Sequence, residues 1–218
     1  MSDELVVAVD VARGGADKSV LAVRRGMRLD ELVVLPPSAD LMATTGHVIT
    51  ELDRLGVRAR DRRVRLPGEL PPEASQYVRP SGYYWSPGVG TVVVDEVGVG
   101  GGLLDRLKEQ HYHAVGFNGG RASRDRRKFV NLRAEAFWEL RKLLEAGAVA
   151  LPRDDQLWDE LTALRWSVDS QGRVALEAKD ALRDRIGRSP DKADAVAMCF
   201  WWRPGRAGVP EQRPVYWG

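Results

Sequence analysis

The sequence predicts one α/β domain built on a mixed β-sheet with helices on both faces. Two continuous apolar runs, LVVAVDVA at residues 5–12 and TVVVDEV at 91–97, are typical of strands buried on both faces. Segments with strand character come first and then alternate with segments of helical periodicity, which favours a mixed sheet. With 218 residues, 44% of them hydrophobic and 29% charged, the chain can bury one substantial core.

The amino-terminal part is predicted to hold three strands and one helix. The segments SVLAVRRG at 19–26 and LDELVVLP at 29–36 follow the first strand after short turns, which predicts an antiparallel meander. Residues 44–55 carry apolar side chains at helical spacing, and Gly56 is expected to end this helix. Residues 58–90 are rich in arginine, then proline, then aromatic residues, and indicate a surface loop or an inserted hairpin.

The carboxyl-terminal part is predicted to alternate between helices and strands. In order, we expect a helix at 103–110, a strand at 113–120, a helix at 129–146, a helix capped by Asp154 or Asp155, and a β-hairpin at 165–178. The last helix is predicted to begin with Ser189 as its N-cap and Pro190 at its first position. Residues 1–203 would form the domain, and 204–218 a loosely ordered tail rich in proline and glycine.

Composition and missing motifs narrow the possible functions. The apolar runs are too short for a membrane span, and the acidic start enters a strand without room for a signal peptide. The single cysteine, Cys199, excludes an internal disulfide and a cysteine zinc cluster, which fits a reducing cytoplasm. No GxxxxGK[ST] phosphate loop occurs, so this chain has no ATPase motif of that class, and GVGGG lacks the dinucleotide-binding spacing.

Aspartates stand where two predicted strands end and where the last helix begins. Asp10 ends LVVAVD, Asp95 ends TVVVD, and Asp191 and Asp194 lie in SPDKADAVA. Ligands gather at the carboxyl ends of parallel strands, and Mg²⁺ and Mn²⁺ prefer carboxylate oxygens. The pattern predicts a site for Mg²⁺ or Mn²⁺ that holds two ions and serves phosphoryl transfer.

The acidic candidates differ in how well a structural role explains them. Asp191 lies in the first turn of its helix, where the helix dipole favours a carboxylate without any metal. Asp194 lies beside the apolar face of the same helix, so a ligand role is favoured for it. Asp17, beyond the glycine turn after the first strand, could cap a turn or reach a second metal ion.

Two clusters of basic residues stand out against a net charge of only +2. Either cluster alone could be an ordinary solvated face. Together with an acidic metal site, they predict a groove that contacts phosphates. The candidate DNA-binding residues are Arg58, Arg60, Arg62 and Arg63 in the first cluster, and Arg121, Arg124, Arg126, Arg127 and Lys128 in the second.

Several motifs, in order, resemble one known family. The motifs are VDVARGGADKSV, VVVDEVGVGGGLLDRLKE, VGFNGGRAS, FVNLRAEAFWELRKLLEAG and LEAKDALRDRIGRSPDKADAVA, which cover nearly all of residues 5–200. They resemble the C-terminal nuclease domain of the large terminase subunit of tailed bacteriophages. The resemblance implies an RNase H-like fold and a metal-dependent endonuclease that cuts concatemeric viral DNA at the start and end of genome packaging.

The resemblance also implies roles for single residues. Asp10, Asp95 and Asp194 match the family's catalytic, metal-binding carboxylates, with Asp10 expected to bridge two ions. Asp17 and Asp191 match auxiliary acidic positions. Lys179 falls where the family often has a lysine near the site and is expected to contact a phosphate, and the hairpin at 166–176 matches an element thought to lie near DNA.

The partners that the resemblance implies are double-stranded DNA, a packaging ATPase, the portal and the small terminase subunit, in the cytoplasm of a bacterial host. The family's motor ATPase precedes its nuclease, and here the sequence begins at the first strand of the nuclease. We therefore expect either an excised domain or a chain that works with a separate motor. Residues 58–90 are also longer and richer in arginine than the family's usual connection.

Two other functions remain open at this point. A junction-resolving or repair nuclease of the same RNase H-like class would use the same carboxylates but prefer branched DNA. A non-catalytic DNA-binding module of a packaging complex would bind DNA without metal-stimulated cleavage. The presence of Asp10, Asp95 and Asp194 together argues against the second alternative.

Overall fold

The computed structural model describes residues 4–12, 18–38, 40–59 and 89–203. The strands are β1 Leu5–Asp10, β2 Val20–Arg25, β3 Arg28–Val34, β4 Thr91–Asp95, β5 Ala114–Phe117, β6 Trp166–Val168 and β7 Val174–Leu176. The helices are α1 Leu41–Leu55, α2 Gly100–Glu109, α3 Leu132–Glu145, α4 Asp155–Ala163, α5 Lys179–Ile186 and α6 Asp191–Trp201. Within the described ranges, no helix is long and apolar enough to cross a membrane.

The main sheet has five strands in the order β3-β2-β1-β4-β5. Strands β1, β2 and β3 pair antiparallel, whereas β1 pairs parallel with β4, and β4 with β5. This arrangement confirms the predicted meander and the mixed sheet. In the parallel register Val9 lies opposite Val94, so the next residues, Asp10 and Asp95, end neighbouring strands at the same edge.

Alternate residues of the central strands point to opposite faces of the sheet and pack into two separate hydrophobic cores. Val7 and Val9 of β1 pack with buried residues of α1 and α2 on one face. Val6 and Ala8 pack on the other face with α3, α4 and α6. Since both faces of β1 are buried, its continuous apolar run is explained, and the prediction of helices on both faces is confirmed.

Two helices begin earlier than their apolar periodicity predicted. Helix α1 starts at Leu41 because the carboxylate of Asp40 accepts the Met42 N–H at 2.9 Å, and it ends at Gly56 as expected. Helix α2 includes the glycines that precede its apolar residues. At Gly100 a Cβ would overlap the carbonyl oxygen of Asp95, so only glycine lets the helix approach the end of β4 so closely.

The carboxyl-terminal region departs from the prediction in two ways. The expected Ser189 N-cap is wrong, because α6 begins at Asp191 and Pro190 takes the N-cap position without a side-chain hydrogen bond. A side chain from α4 serves instead: Glu160 accepts the Ala193 N–H at 3.0 Å. Helix α5, between the confirmed hairpin and α6, was not predicted.

Some sequence predictions lie outside the described residues. They concern Asp17, Arg60, Arg62 and Arg63, most of the segment 58–90, and the tail 204–218.

Candidate metal centre

Two strand ends place the first two carboxylates of the site. Asp10 is the last residue of β1 and is only 5% exposed. Asp95 is the last residue of β4, and its Oδ1 accepts the Val97 N–H at 3.1 Å. The parallel pairing of β1 and β4 brings the two residues to one edge of the sheet.

The first turn of α6 supplies two more carboxylates. Asp191 Oδ2 accepts the backbone N–H of Lys18 at 3.0 Å, which ties the segment before β2 to the helix. Asp194 Oδ1 accepts Nε–H of Arg133, on α3, at 3.2 Å. The remaining oxygen of each carboxylate lies within 4 Å of the Lys179 ammonium.

The ammonium of Lys179 lies among these carboxylates. Its Nζ is 2.9 Å from Asp194 Oδ2, 3.4 Å from Asp10 Oδ2 and 3.9 Å from Asp191 Oδ1. Lys179 is the first residue of α5, so the turn from the hairpin into that helix delivers the cation. The structure therefore brings together four predicted acidic residues and the predicted lysine.

The electrostatics of the cluster show an excess of negative charge. Burial raises the pKa of Asp10 to about 8; repulsion from Asp194, Asp95 and Asp191 adds to the increase, and Lys179 opposes it. Burial also raises the pKa of Asp95. The pKa of Lys179 lies above its usual value because attraction to Asp194 and Asp10 outweighs the opposing effect of burial. The ammonium of Lys179 contacts Asp10, Asp191 and Asp194 and acts on Asp95 from farther away, so one cation serves four acidic side chains and further positive charge is favoured.

The chemistry of the donors fits a divalent metal ion, although their present spacing does not. Among residues 4–12, 18–38, 40–59 and 89–203, no group of three acidic, histidine or cysteine side chains converges tightly enough to coordinate an ion. The Lys179 ammonium occupies the space between the carboxylates. Carboxylate oxygens are the ligands that Mg²⁺ and Mn²⁺ prefer, so Asp10, Asp95 and Asp194 could hold an ion once the ammonium withdraws.

The predicted basic residues of the second cluster lie in two different environments. Arg126, Arg127 and Lys128 are exposed, and Arg121, also exposed, contacts Glu96 at 2.8 Å. Arg124 is turned inward. Its Nε–H donates to Glu135 Oε1 at 2.7 Å, and its guanidinium lies 4.9 Å from the ring centre of Trp201. The structure thus gives Arg124 an internal role in holding its loop against α3.

In the first cluster, only Arg58 is described, and its position is exposed. Its backbone forms an antiparallel bridge with Val89, just before β4. Arg58 precedes β4 and follows α1, whereas the carboxylates lie beyond the carboxyl ends of β1 and β4. The described part of this cluster therefore does not adjoin the carboxylates.

Sequence reasoning missed two residues that shape the site. Arg133 contacts Asp194 and also donates from Nη1 to the carbonyl of Glu177 at 3.1 Å, which links α3 to the segment just before Lys179. Glu160, fully buried on α4, holds the first turn of α6 through Ala193. These contacts join residues 33 to 61 positions apart in sequence, and nothing in the residues beside Arg133 or Glu160 indicates them.

Comparison with known proteins yields likeness in structure alone. No family model and no curated protein sequence matches the chain. The nuclease domain of the large terminase subunit of bacterial virus Sf6 superposes with a TM-score of 0.69 at 17% identity, over 93% of this chain and 90% of that domain. The Thermus phage P74-26 large terminase nuclease domain gives 0.56 at 15% identity, over 94% and 83%.

The large terminase nuclease from thermophilic phage G20c, solved with bound magnesium, gives a TM-score of 0.55 at 18% identity, over 90% of this chain and 80% of that one. A lysine-to-alanine variant of the Sf6 domain has been solved with manganese. These likenesses confirm the predicted RNase H-like fold.

Proposed function

We propose that this chain is a divalent-metal-dependent DNA endonuclease that cuts concatemeric viral DNA during genome packaging. The observation that carries the proposal is the gathering of Asp10, Asp191 and Asp194 around the ammonium of Lys179, with Asp95 at the end of the strand next to that of Asp10. Such a concentration of buried carboxylates is costly for a folded protein and is typical of sites that bind cations. The shared fold with terminase nuclease domains supports the proposal.

Three carboxylates, those of Asp10, Asp95 and Asp194, would hold the Mg²⁺ or Mn²⁺, and we expect two ions. A bound divalent ion supplies Lewis-acid activation of water and neutralises charge on the phosphodiester. Asp191 stays hydrogen-bonded to the backbone of Lys18 and fixes the segment beside the site. Lys179, which contacts Asp10 and Asp194 in this structure, would donate to a phosphate oxygen of the DNA when a metal ion takes its place between them.

The exposed basic residues of the loop after β5 would hold the DNA backbone. Arg121, Arg126, Arg127 and Lys128 are exposed, and Arg121 contacts Glu96, the residue after Asp95; phosphate contacts of this kind carry little sequence information. The hairpin of β6 and β7 would lie beside the same DNA, since it leads directly into Lys179.

In its biological setting, the nuclease would act in the cytoplasm of a bacterial host. It would work with a packaging ATPase, a portal and a small terminase subunit. The ATPase would pass double-stranded DNA across the nuclease, and cutting would produce the ends of the packaged genome.

A plasmid-cleavage assay tests the proposed function. Supercoiled DNA incubated with the protein should be nicked and linearised in Mg²⁺ or Mn²⁺ and left intact when a chelator is added. Asp10→Asn should abolish cleavage, because the neutral amide cannot replace the carboxylate as a ligand. Asp105→Asn, at an exposed position on α2, is the matched control and should cleave like the parent.

Three outcomes would contradict the proposal or change it. Equal cleavage by Asp10→Asn and the parent would remove the assignment of the site. DNA binding without cleavage in either metal would favour a non-catalytic packaging module. Faster cleavage of four-way junctions than of linear or supercoiled DNA would indicate a junction-resolving nuclease.

A further inference from the structure

Glu96 occupies a space that one glycine leaves open. It follows Asp95 at the end of β4, and its side chain is 17% exposed. On the neighbouring strand β5, a Cβ at Gly116 would overlap Glu96 Oε2 and lie 2.9 Å from Leu104 Cδ2. In its observed conformation the Glu96 carboxylate therefore takes up the space that a Cβ at residue 116 would need, and a side chain there would displace it.

The carboxylate of Glu96 contacts the first arginine of the basic loop. Glu96 Oε1 lies 2.8 Å from Nη2 of Arg121. The backbone of Arg121 is fixed on both sides, because its N–H donates to the Asn118 carbonyl at 3.0 Å and its carbonyl accepts the Leu132 N–H at 2.8 Å. The Arg121 side chain thus extends from a hydrogen-bonded turn, and Glu96 orients the guanidinium group at its tip.

Stability does not explain this ion pair well. The Arg121 side chain is 68% exposed, and ion pairs of such exposure contribute about 0–1 kcal/mol. A carboxylate beside a basic loop also weakens the attraction of that loop for phosphate. What the pair does provide is a fixed direction for an exposed guanidinium, held by the residue that directly follows Asp95 in the chain.

We infer that Glu96 is a positioning residue that directs Arg121 onto a backbone phosphate next to the scissile one, with Gly116 providing the space that Glu96 requires. This inference rests on the proposed nuclease function and deepens it. A fork of guanidinium donors held in one direction fixes the register of a phosphodiester at the carboxylates. Arg121 contacts the DNA, whereas Glu96 acts through Arg121.

Substitutions of Glu96 should lower the turnover number for DNA cleavage without weakening the binding of DNA. Glu96→Asp keeps the charge but withdraws the carboxylate by one methylene group. It should lower turnover at saturating DNA about tenfold and change the dissociation constant for DNA less than twofold. Glu96→Gln should lower turnover similarly, with binding unchanged or tighter because a negative charge is gone.

Arg121→Gln should lower turnover to the same extent and reduce the salt dependence of binding by about one phosphate contact. The double variant Glu96→Gln/Arg121→Gln should turn over no more slowly than Arg121→Gln. The matched control is Glu109→Gln, which removes the carboxylate of an exposed pair with Arg106 at the far end of α2 and should change nothing. Thermal unfolding of each variant establishes that it is folded.

The inference is wrong if Glu96→Asp turns over at the parental rate. It is also wrong if the loss of turnover in the double variant equals the product of the losses in Glu96→Gln and Arg121→Gln, because the two residues would then act independently. A measurement without cleavage separates its failure from that of the proposed function. In the parent, the guanidinium NMR signals of Arg121 should shift when a short DNA duplex is added, and in Glu96→Gln they should broaden. If these signals do not respond to DNA, the inference fails even if the protein cuts. If they respond but no metal supports cleavage, the proposed nuclease function fails and the phosphate contact stands.

Discussion

The two ends of helix α6 both bury charge, but they do so in opposite ways. At the carboxyl-terminal end, Arg24 of β2 is 4% exposed and donates to the carbonyls of Cys199 and Trp202, each at 3.0 Å, and to that of Gly26. Its charge is further offset by Glu4 at 3.4 Å. The positive charge at the carboxyl-terminal end and the negative charges at the amino-terminal end both suit the helix dipole, which favours cations at the former and carboxylates at the latter.

The amino-terminal end of α6 is not balanced in this way. Asp191 and Asp194 join Asp10 and Asp95 around a single ammonium, that of Lys179. A buried charge with all its partners present is a closed structural unit whose disruption destabilises the fold, whereas a surplus of one sign is typical of a site that binds a ligand. The comparison teaches that one helix serves structure at one end and the candidate chemistry at the other.

Replacing an acidic residue at the amino-terminal end should have the largest effect. Asp194→Asn preserves the shape of the side chain but removes its charge, so DNA cleavage in Mn²⁺ should fall on the order of a thousandfold, or about 4 kcal/mol. The melting temperature should change little. Asp184→Asn, at an exposed position on α5, is the control. If Asp194→Asn cuts DNA at the parental rate, the amino-terminal end of α6 has no catalytic role and both ends serve the structure alone.

A substitution at the carboxyl-terminal end of α6 should lower the stability of the protein and leave its cleavage activity unchanged. Arg24→Met leaves the carbonyls of Gly26, Cys199 and Trp202 without this donor, and the free energy of unfolding should fall by about 3 kcal/mol. Urea unfolding measures the loss, and cleavage per folded molecule should stay the same. Arg28→Met, at a side chain that is 69% exposed, should cost less than about 0.5 kcal/mol. Equal losses in both variants would contradict the structural role of Arg24.

A smaller loss of cleavage rate is expected when Asp194 keeps its charge but loses the arginine that orients it. Arg133→Lys keeps a positive charge but loses the fork that joins Asp194 to the Glu177 carbonyl. Single-turnover cleavage at saturating Mn²⁺ should slow about tenfold, as is usual for groups that orient metal ligands. Arg141→Lys, on the exposed side of the same helix, should have no effect. Indistinguishable rates in the two variants would show that Asp194 needs no such support.

The smallest effect should appear in the response of stability to metal. Lys179→Met removes the only ammonium that the structure places among these carboxylates in the described residues, so the metal-free protein should melt at a lower temperature. Millimolar Mg²⁺ should then stabilise the variant by about 1 kcal/mol more than it stabilises the parent. Thermal unfolding with and without Mg²⁺ measures the difference, with Lys108→Met on α2 as the control. An unchanged response would mean that Lys179 does not compete with metal for the site.

The parts of the molecule that were predictable from sequence have local causes. The strand that ends in Asp10 and the one that ends in Asp95 each show as an apolar run closed by an acid, and parallel pairing then brings the two acids together. The predicted start of α6 is wrong by one position because the acceptor for a free N–H of its first turn comes from Glu160, 33 residues away. A cap from another helix leaves no signal beside the helix that it caps.

Other elements were missed because they depend on tertiary contacts. Helix α5 buries Leu182 alone, so its sequence lacks the apolar stripe by which helices are recognised. Arg133 gains its role only because α3 packs beside α6, which brings it to Asp194 across 61 residues. Arg124 looked like part of a basic surface, but the neighbouring Glu135 and Trp201 turn it inward.

The close fit of Gly100 against the end of β4 has a consequence for how this protein tolerates mutation. Any side chain there would meet the carbonyl oxygen of Asp95, so α2 would have to move away and Asp95 would shift with the strand. In a library of all single substitutions selected for nuclease activity, position 100 should be as depleted as position 95. A residue without a side chain, and without contact to DNA or metal, would then rank among the most constrained in the chain.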